Sequence, residues 1–244
     1  MLESFKRLLA GKPAESAAWP DVADWAARQA LNFRRVREGE GFVIEGLLDE
    51  MPWRLEWGPP QRAYIAGREL RMRMELDLPG DLQMLLMARP LLVLLERQTY
   101  ESFTEGLQTQ IDTGTPEEVR WLVMFPKANL NMYRALRGRL GAVSAAPASV
   151  PLWLEGPLAQ QLERALGTLL QHDPPFVLMT LRGRLYLRMQ LIDPDLAAVA
   201  AAVSLFETAA RQALRAAAQA GESGQEWPST GSTAWQSFDD TKPR

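Results

Sequence analysis

Leu70-Arg71-Met72-Arg73-Met74-Glu75-Leu76 and Leu185-Tyr186-Leu187-Arg188-Met189-Gln190-Leu191 are two copies of one pattern. Each follows a Gly-Arg pair, Gly67-Arg68 and Gly183-Arg184. Each alternates apolar and polar residues, the period of a strand with one buried face. Each then reaches an Asp/Pro pair suited to the first turn of a helix, Pro79-Gly80-Asp81-Leu82 and Asp193-Pro194-Asp195-Leu196, followed by a long apolar segment. A chain that repeats a strand-to-helix unit is expected to be α+β, with two related antiparallel strand-hairpin plus helix modules packed as a pseudo-symmetric pair on a shared core.

Working outward, residues 20–140 are expected to form the first module with a helical extension. Trp19-Pro20-Asp21 opens a helix with Asp21 as N-cap, an apolar stripe from Val22 to Phe33, and Arg34, Arg35 and Arg37 near its C-terminal end. From Gly41 the period falls to two. Phe42 to Leu48 reads as a strand, Asp49-Glu50 as a turn, and Trp53-Arg54-Leu55-Glu56-Trp57 as the next strand. Trp53, Leu55, Met72 and Met74 should point inward, with Arg54, Glu56, Arg71, Arg73 and Glu75 in cross-strand ion pairs on a solvated face. Residues 82–103 are expected to cover the apolar face as a helix bent at Pro90. Thr115-Pro116-Glu117-Glu118 reads as a capping box, and Met132, Leu136 and Leu140 as a further helical piece.

Residues 141–156 are rich in small residues and are expected to link this module to a second, α-β-β-α module at 157–221. Its hairpin should turn at Arg182-Gly183, and its last helix should start at Asp193 and bury Val203 and Phe206. Residues 1–19 read as an amphipathic turn and linker. Residues 222–244, rich in Glu, Ser, Thr, Gly and Pro, read as a disordered tail carrying Trp227, Trp235 and Phe238.

Composition excludes several chemistries. The 244 residues include no cysteine and one histidine, His172, so disulfides, thiolate nucleophiles and Cys- or His-built metal sites are ruled out, and no cofactor is expected. With 27 Lys+Arg against 30 Asp+Glu, the net charge of -3 offers no general attraction to nucleic acid. No apolar stretch is long enough to cross a bilayer, and the N-terminus lacks the pattern of a secretory signal, so a cytoplasmic location is expected. Residues 1–9 carry Leu2, Phe5, Leu8 and Leu9 opposite Lys6 and Arg7, and docking on the protein itself explains them better than peripheral membrane contact.

No catalytic signature is present, and no metal site is expected. His172 precedes Asp173-Pro174-Pro175 in a loop, where a histidine caps a helix end more readily than it acts as a base. Glu45, Glu56, Glu69 and Glu75 fall among Arg54, Arg62, Arg71 and Arg73, so they read as ionised partners rather than general acids. Asp112, Glu117 and Glu118 could hold a hard cation, but capping already accounts for Glu118. Arg182, Arg184 and Arg188, with Tyr186, occupy the second hairpin with no acid between them and are the candidate partner- or anion-binding residues. Arg134, Arg137 and Arg139 form a second basic group, and Trp227, Trp235 and Phe238 a candidate tail motif.

Phe42-Val43-Ile44-Glu45-Gly46, Trp53-Arg54-Leu55-Glu56-Trp57-Gly58 and Glu117-Glu118-Val119-Arg120-Trp121-Leu122 give the chain the look of an uncharacterised bacterial protein family of unknown function, which it resembles as a whole. In element order over residues 20 to 220 it also resembles type III secretion chaperone-like proteins, apart from a long middle insertion. That resemblance implies a fold that binds other proteins and does no chemistry. The expected function is therefore a non-enzymatic adaptor or chaperone-like protein with an unknown protein partner and no nucleic acid, free to form homo-oligomers. The alternatives are a hydrolase or transferase with a carboxylate/arginine site assembled in three dimensions, or an anion or small-molecule sensor.

Overall fold

Both alternating stretches are strands, and they are neighbours in one sheet. The computed structural model describes residues 19–36, 41–104 and 115–222. In it β4 (Glu69–Glu75) and β8 (Arg184–Gln190) run antiparallel, with Leu70 opposite Met189, Met72 opposite Leu187 and Met74 opposite Leu185. All six side chains are buried, as the alternation requires. β1 (Asn32–Arg35), β2 (Phe42–Leu48), β3 (Met51–Gly58), β5 (Met84–Ala88), β6 (Leu140–Ser144) and β7 (Phe176–Leu181) complete an eight-stranded sheet. The order is β1-β2-β3-β4-β8-β7-β5-β6 and every pairing is antiparallel. The helices are α1 (Pro20–Arg28), α2 (Arg89–Thr104), α3 (Glu117–Met124), α4 (Ser149–Leu154), α5 (Pro157–Leu166) and α6 (Leu196–Glu222), so the protein is α+β.

The two hairpin turns fall where the sequence puts them. Asp49 and Glu50 have φ of 50° and 68°, and Arg182 and Gly183 have 51° and 77°. Two successive positive φ values give the turn whose twist matches that of the flanking strands. Trp53, Leu55, Met72, Met74, Leu187, Met189, Val203 and Phe206 are all buried.

Elsewhere the structure corrects the reading. The helix ends at Arg28, Ala30 takes φ 56°, and the chain turns back as β1. Phe33 satisfies both the helical and the strand period, which hid a four-residue strand. Asp21 lies inside α1 after Pro20, and no side chain caps that helix. Residues 82–103 are not one helix. Met84 to Ala88 is a strand buried on both faces, which as an apolar run cannot be told from helix by periodicity. Pro90 sits in the first turn of α2, where its missing N–H is harmless. The repeat therefore leads into a strand in its first copy and a helix in its second. Leu140 opens β6, and the expected linker at 141–156 carries β6 and α4, so both halves share one continuous sheet. α6 starts at Leu196, with the Asp195 carboxylate accepting from Ala198 N–H at 2.7 Å. Residues 1–9, Asp112, Trp227, Trp235 and Phe238 lie outside the described residues.

Two helical layers follow from which strand faces are apolar. On the inner face the Trp19 ring beside α1 packs on Phe42 and Trp57, and α1, α4 and α5 all pack on α6. Buried Ala202, Ala209, Ala210, Ala213 and Ala216 let α6 lie close to its neighbours. The indole N–H of Trp153 donates to Ala209 O at 2.9 Å and fixes α4 against it. On the outer face, buried Met87, Val177 and Met179 mark the half that α2 and α3 cover. Gly141 admits this layer: a Cβ there would lie 2.5 Å from the Leu92 side chain of α2. The outer face of β1 to β4 and β8 carries charge instead.

The sheet's two edges differ. Along β6, Ala128 N–H donates to Ala142 O at 2.9 Å and Ser144 N–H to Pro126 O at 3.2 Å, so the preceding segment occupies that edge. Along β1 no described residue pairs with the outward side.

Candidate functional site

The register writes a lattice of charge across the outer face. One row runs Asn32, Glu45, Arg54, Arg73, Tyr186, and the next runs Arg34, Val43, Glu56, Arg71, Arg188. Each row places arginine directly opposite arginine, an arrangement that is unfavourable unless acids intervene. For most of these arginines they do. Arg54 donates to Glu45 at 2.6 Å and to Glu56 at 2.5 Å, Arg71 donates to Glu56 at 2.8 Å, and Arg34 donates to Glu45 at 2.8 Å. Burial alone would raise the Glu56 pKa, but hydrogen bonds from Arg54 and Arg71 outweigh it and hold the carboxyl below its ordinary value. Glu45 is lowered in the same way by Arg54 and Arg34. Both carboxylates are ionised near neutrality, which fits salt-bridge partners and not general acids.

The second-hairpin arginines sit at the far side of the lattice, and acids from other elements reach each one. Arg184 pairs with Glu75 across the strands at 2.6 Å, which raises its pKa. Arg188 donates to the fully buried Glu69, whose other oxygen accepts from Gln61 N–H at 2.6 Å. Arg182 lies 3.4 Å from Glu117. The absence of acids between them in sequence was therefore misleading, because the neighbouring strand and α3 supply the counter-charges. Arg139 is also engaged, to Asp173 at 2.6 Å and to the carbonyls of Leu170 and Gln171, while Arg134 and Arg137 are exposed. His172 is exposed in the same turn.

Glu118 is not a capping residue. No side chain caps α3, and the buried Glu118 carboxylate accepts from Arg62 at 2.5 Å and from the Tyr64 hydroxyl at 2.6 Å. Burial would raise its pKa, but these bonds prevail and lower it. Tyr64 is pushed far up by burial and by the Glu118 charge, so its proton stays on. This cluster pins the β3–β4 loop, residues 59–68, to α3. Gln61 of that loop and Tyr186 then border an open trough over the lattice, with cavities of about 850 Å³ and 230 Å³ that share Arg54, Arg73 and Tyr186.

Both cavities are lined by Arg73, for which the strand alternation predicts an ion pair. No hydrogen-bond or ion-pair partner among the described residues reaches it. The signal that could have found it is the opposition of Arg54 and Arg73, which depends on a register that a ten-residue loop leaves unfixed in the sequence. Among the described residues, no group of three or more His, Asp or Glu is placed to hold a metal ion, and no helix is long and apolar enough to cross a membrane.

No protein-family model and no curated protein matches the chain. Among solved structures the chain is similar to the crystal structure of the mycobacterial trehalose monomycolate transport factor A, TtfA, with a TM-score of 0.45 and 7% identity over 79% of this chain and 92% of that one. A likeness of that degree carries no inference about function.

Proposed function

We propose that the protein is a non-enzymatic binding module that takes an extended, acidic segment of another protein as an added strand along β1. The observation that carries this reading is the asymmetry of the edges: one is occupied by the chain's own backbone, and the other has no pairing among the described residues. Val36 N–H donates to Gly41 O at 3.1 Å, and by the alternation of an antiparallel ladder the N–H and C=O of Phe33 and Arg35 point away from β2. Main-chain bonds to that edge supply affinity, and side chains at alternate positions supply specificity. Arg35 is exposed and has no partner among the described residues, which favours an acid opposite it. The element-order resemblance to chaperone-like proteins agrees with a protein partner. The ionised, paired state of Glu45, Glu56 and Glu118 counts against the hydrolase or transferase alternative.

The test is affinity capture with the wild type, Arg35→Ala and Arg35→Pro, with folding checked by thermal melts. Proline removes an outward N–H from an edge strand without touching the β1–β2 ladder. The expected result is a dominant partner that is weakened by Arg35→Ala and lost with Arg35→Pro. Capture that survives Arg35→Pro in a folded protein would overturn strand addition. Loss of the cellular role in Glu45→Gln/Glu56→Gln, with capture unchanged, would favour an enzyme.

A further inference from the structure

We infer that the trough over β3, β4 and β8 is a binding site for a phosphate ester, with Arg73 as its principal ligand-binding side chain. Three independent features lead there. First, Arg73 is opposed directly by Arg54 and has no counter-ion among the described residues, although the lattice neutralises Arg34, Arg54, Arg71, Arg184 and Arg188. Like charges facing one another across strands are a cost that the free protein retains. A bound anion removes it.

Second, donors converge on Arg73 from both sides. Tyr186 is its neighbour on β8 and lines both parts of the trough, where a phenol O–H can donate to an anion. Arg54 uses Nε and Nη1 on Glu56 and Glu45, which leaves Nη2 on the β3 side. A planar carboxylate is filled by one guanidinium fork. A tetrahedral oxyanion has further oxygens for donors arriving from other directions.

Third, the cavity has shape beyond the anion. The smaller lobe, about 230 Å³, is lined by Arg73 together with Gln61, Arg71 and Arg188. The larger, about 850 Å³, runs from Arg73 to Leu31, Leu47 and Pro52 at the end of the sheet. Leu47 is 67% exposed there. An oxyanion on Arg73 with an organic substituent lying toward Leu47 and Pro52 uses both lobes, which free phosphate does not. The proposal is binding alone and includes no covalent step.

The experiment is calorimetric titration of the full chain with phenyl phosphate, inorganic phosphate and benzoate, on the wild type, Arg73→Gln and Arg134→Gln, an exposed arginine remote in the chain. Phenyl phosphate should bind wild type and Arg134→Gln alike, at least ~10-fold tighter than inorganic phosphate or benzoate, and Arg73→Gln should lose ~10-fold or more, the factor that ~1.4 kcal/mol represents. Without ligand, Arg73→Gln should melt at or above the wild-type temperature, because it relieves the Arg54 opposition. Benzoate binding as well as phenyl phosphate would overturn the phosphate assignment, and equal binding of inorganic phosphate would overturn the ester. No binding, or binding indifferent to Arg73→Gln, would overturn the site. A clear drop in melting temperature on Arg73→Gln would make the residue structural instead. Neither substitution lies on β1, so failure here leaves the strand-addition reading standing.

Discussion

Leu187→Ala is the sharpest probe of the shared sheet. The side chain is fully buried, on β8, with Met72 opposite on β4 and Leu178 opposite on β7. Truncation removes three carbons beyond Cβ, worth ~2.4 kcal/mol at ~0.8 kcal/mol for each buried methylene-sized group. A residual cavity adds to this, because both flanking ladders hold the backbone in place. A total of ~3–4 kcal/mol is expected, inside the ~2.7–5.0 kcal/mol measured for comparable core truncations. Urea unfolding should show a lower midpoint at unchanged slope, and at ~2–4 °C per kcal/mol the melting temperature should fall by ~6–16 °C. Leu47→Ala, on the exposed side of β2, should stay within ~0.5 kcal/mol of wild type. A loss under ~1 kcal/mol for Leu187→Ala would mean that β8 does not occupy the middle of a single core.

Other outcomes follow from the same contacts. Glu118→Gln should cost about 2–3 kcal/mol in thermal or urea unfolding, below the ~3–5 kcal/mol of fully buried pairs because Arg62 reaches solvent. Glu56 and Glu118 have lowered native pKa values, so the unfolded state binds more protons; their stabilisation is present above about pH 4.5, the ordinary carboxyl value, and is lost as pH falls through the lowered native values. Melts between pH 7 and 3 should show that slope, and Glu118→Gln should flatten it. Gly41→Ala should destabilise by ~1–3 kcal/mol, since the added Cβ would lie 2.5 Å from the Trp57 carbonyl oxygen, and backbone paired in the β2–β3 ladder yields less readily than a side chain. A neutral result in a chemical denaturation series would mean that β2 and β3 separate locally at that end.

The sequence was legible where one strand face is wet and the other dry. Trp53, Leu55, Met72, Met74, Leu187 and Met189 could be placed inward because their neighbours are polar, and both tight turns could be placed between such runs. Met84 to Ala88 lost that contrast because helices cover it on both sides. β1 was lost because four residues fit two periods. Arg184 and Arg188 were visible as cations, but their neutralisation by Glu75 and Glu69 was not, since it depends on pairing strands more than a hundred residues apart in the chain. That pairing also isolates Arg73. Charge reversal at Arg188, one of the candidate partner-binding residues, would set a second carboxylate against buried Glu69 and report on folding.

The β4–β8 pairing has a consequence for how the protein is made. During synthesis β1 to β4 leave the ribosome well before β8 exists, and of the strands that come between, β5 pairs with β6 and β7, and none pairs with β4. Until the chain is made past Gln190, β4 presents a bare hydrogen-bonding edge beside Leu70, Met72 and Met74, and a contact of such long sequence separation closes late and slowly. The nascent protein is thus most adhesive in the middle of its own translation, and a pause in elongation between β4 and β8 would prolong that exposure, whereas the same pause after β8 would not.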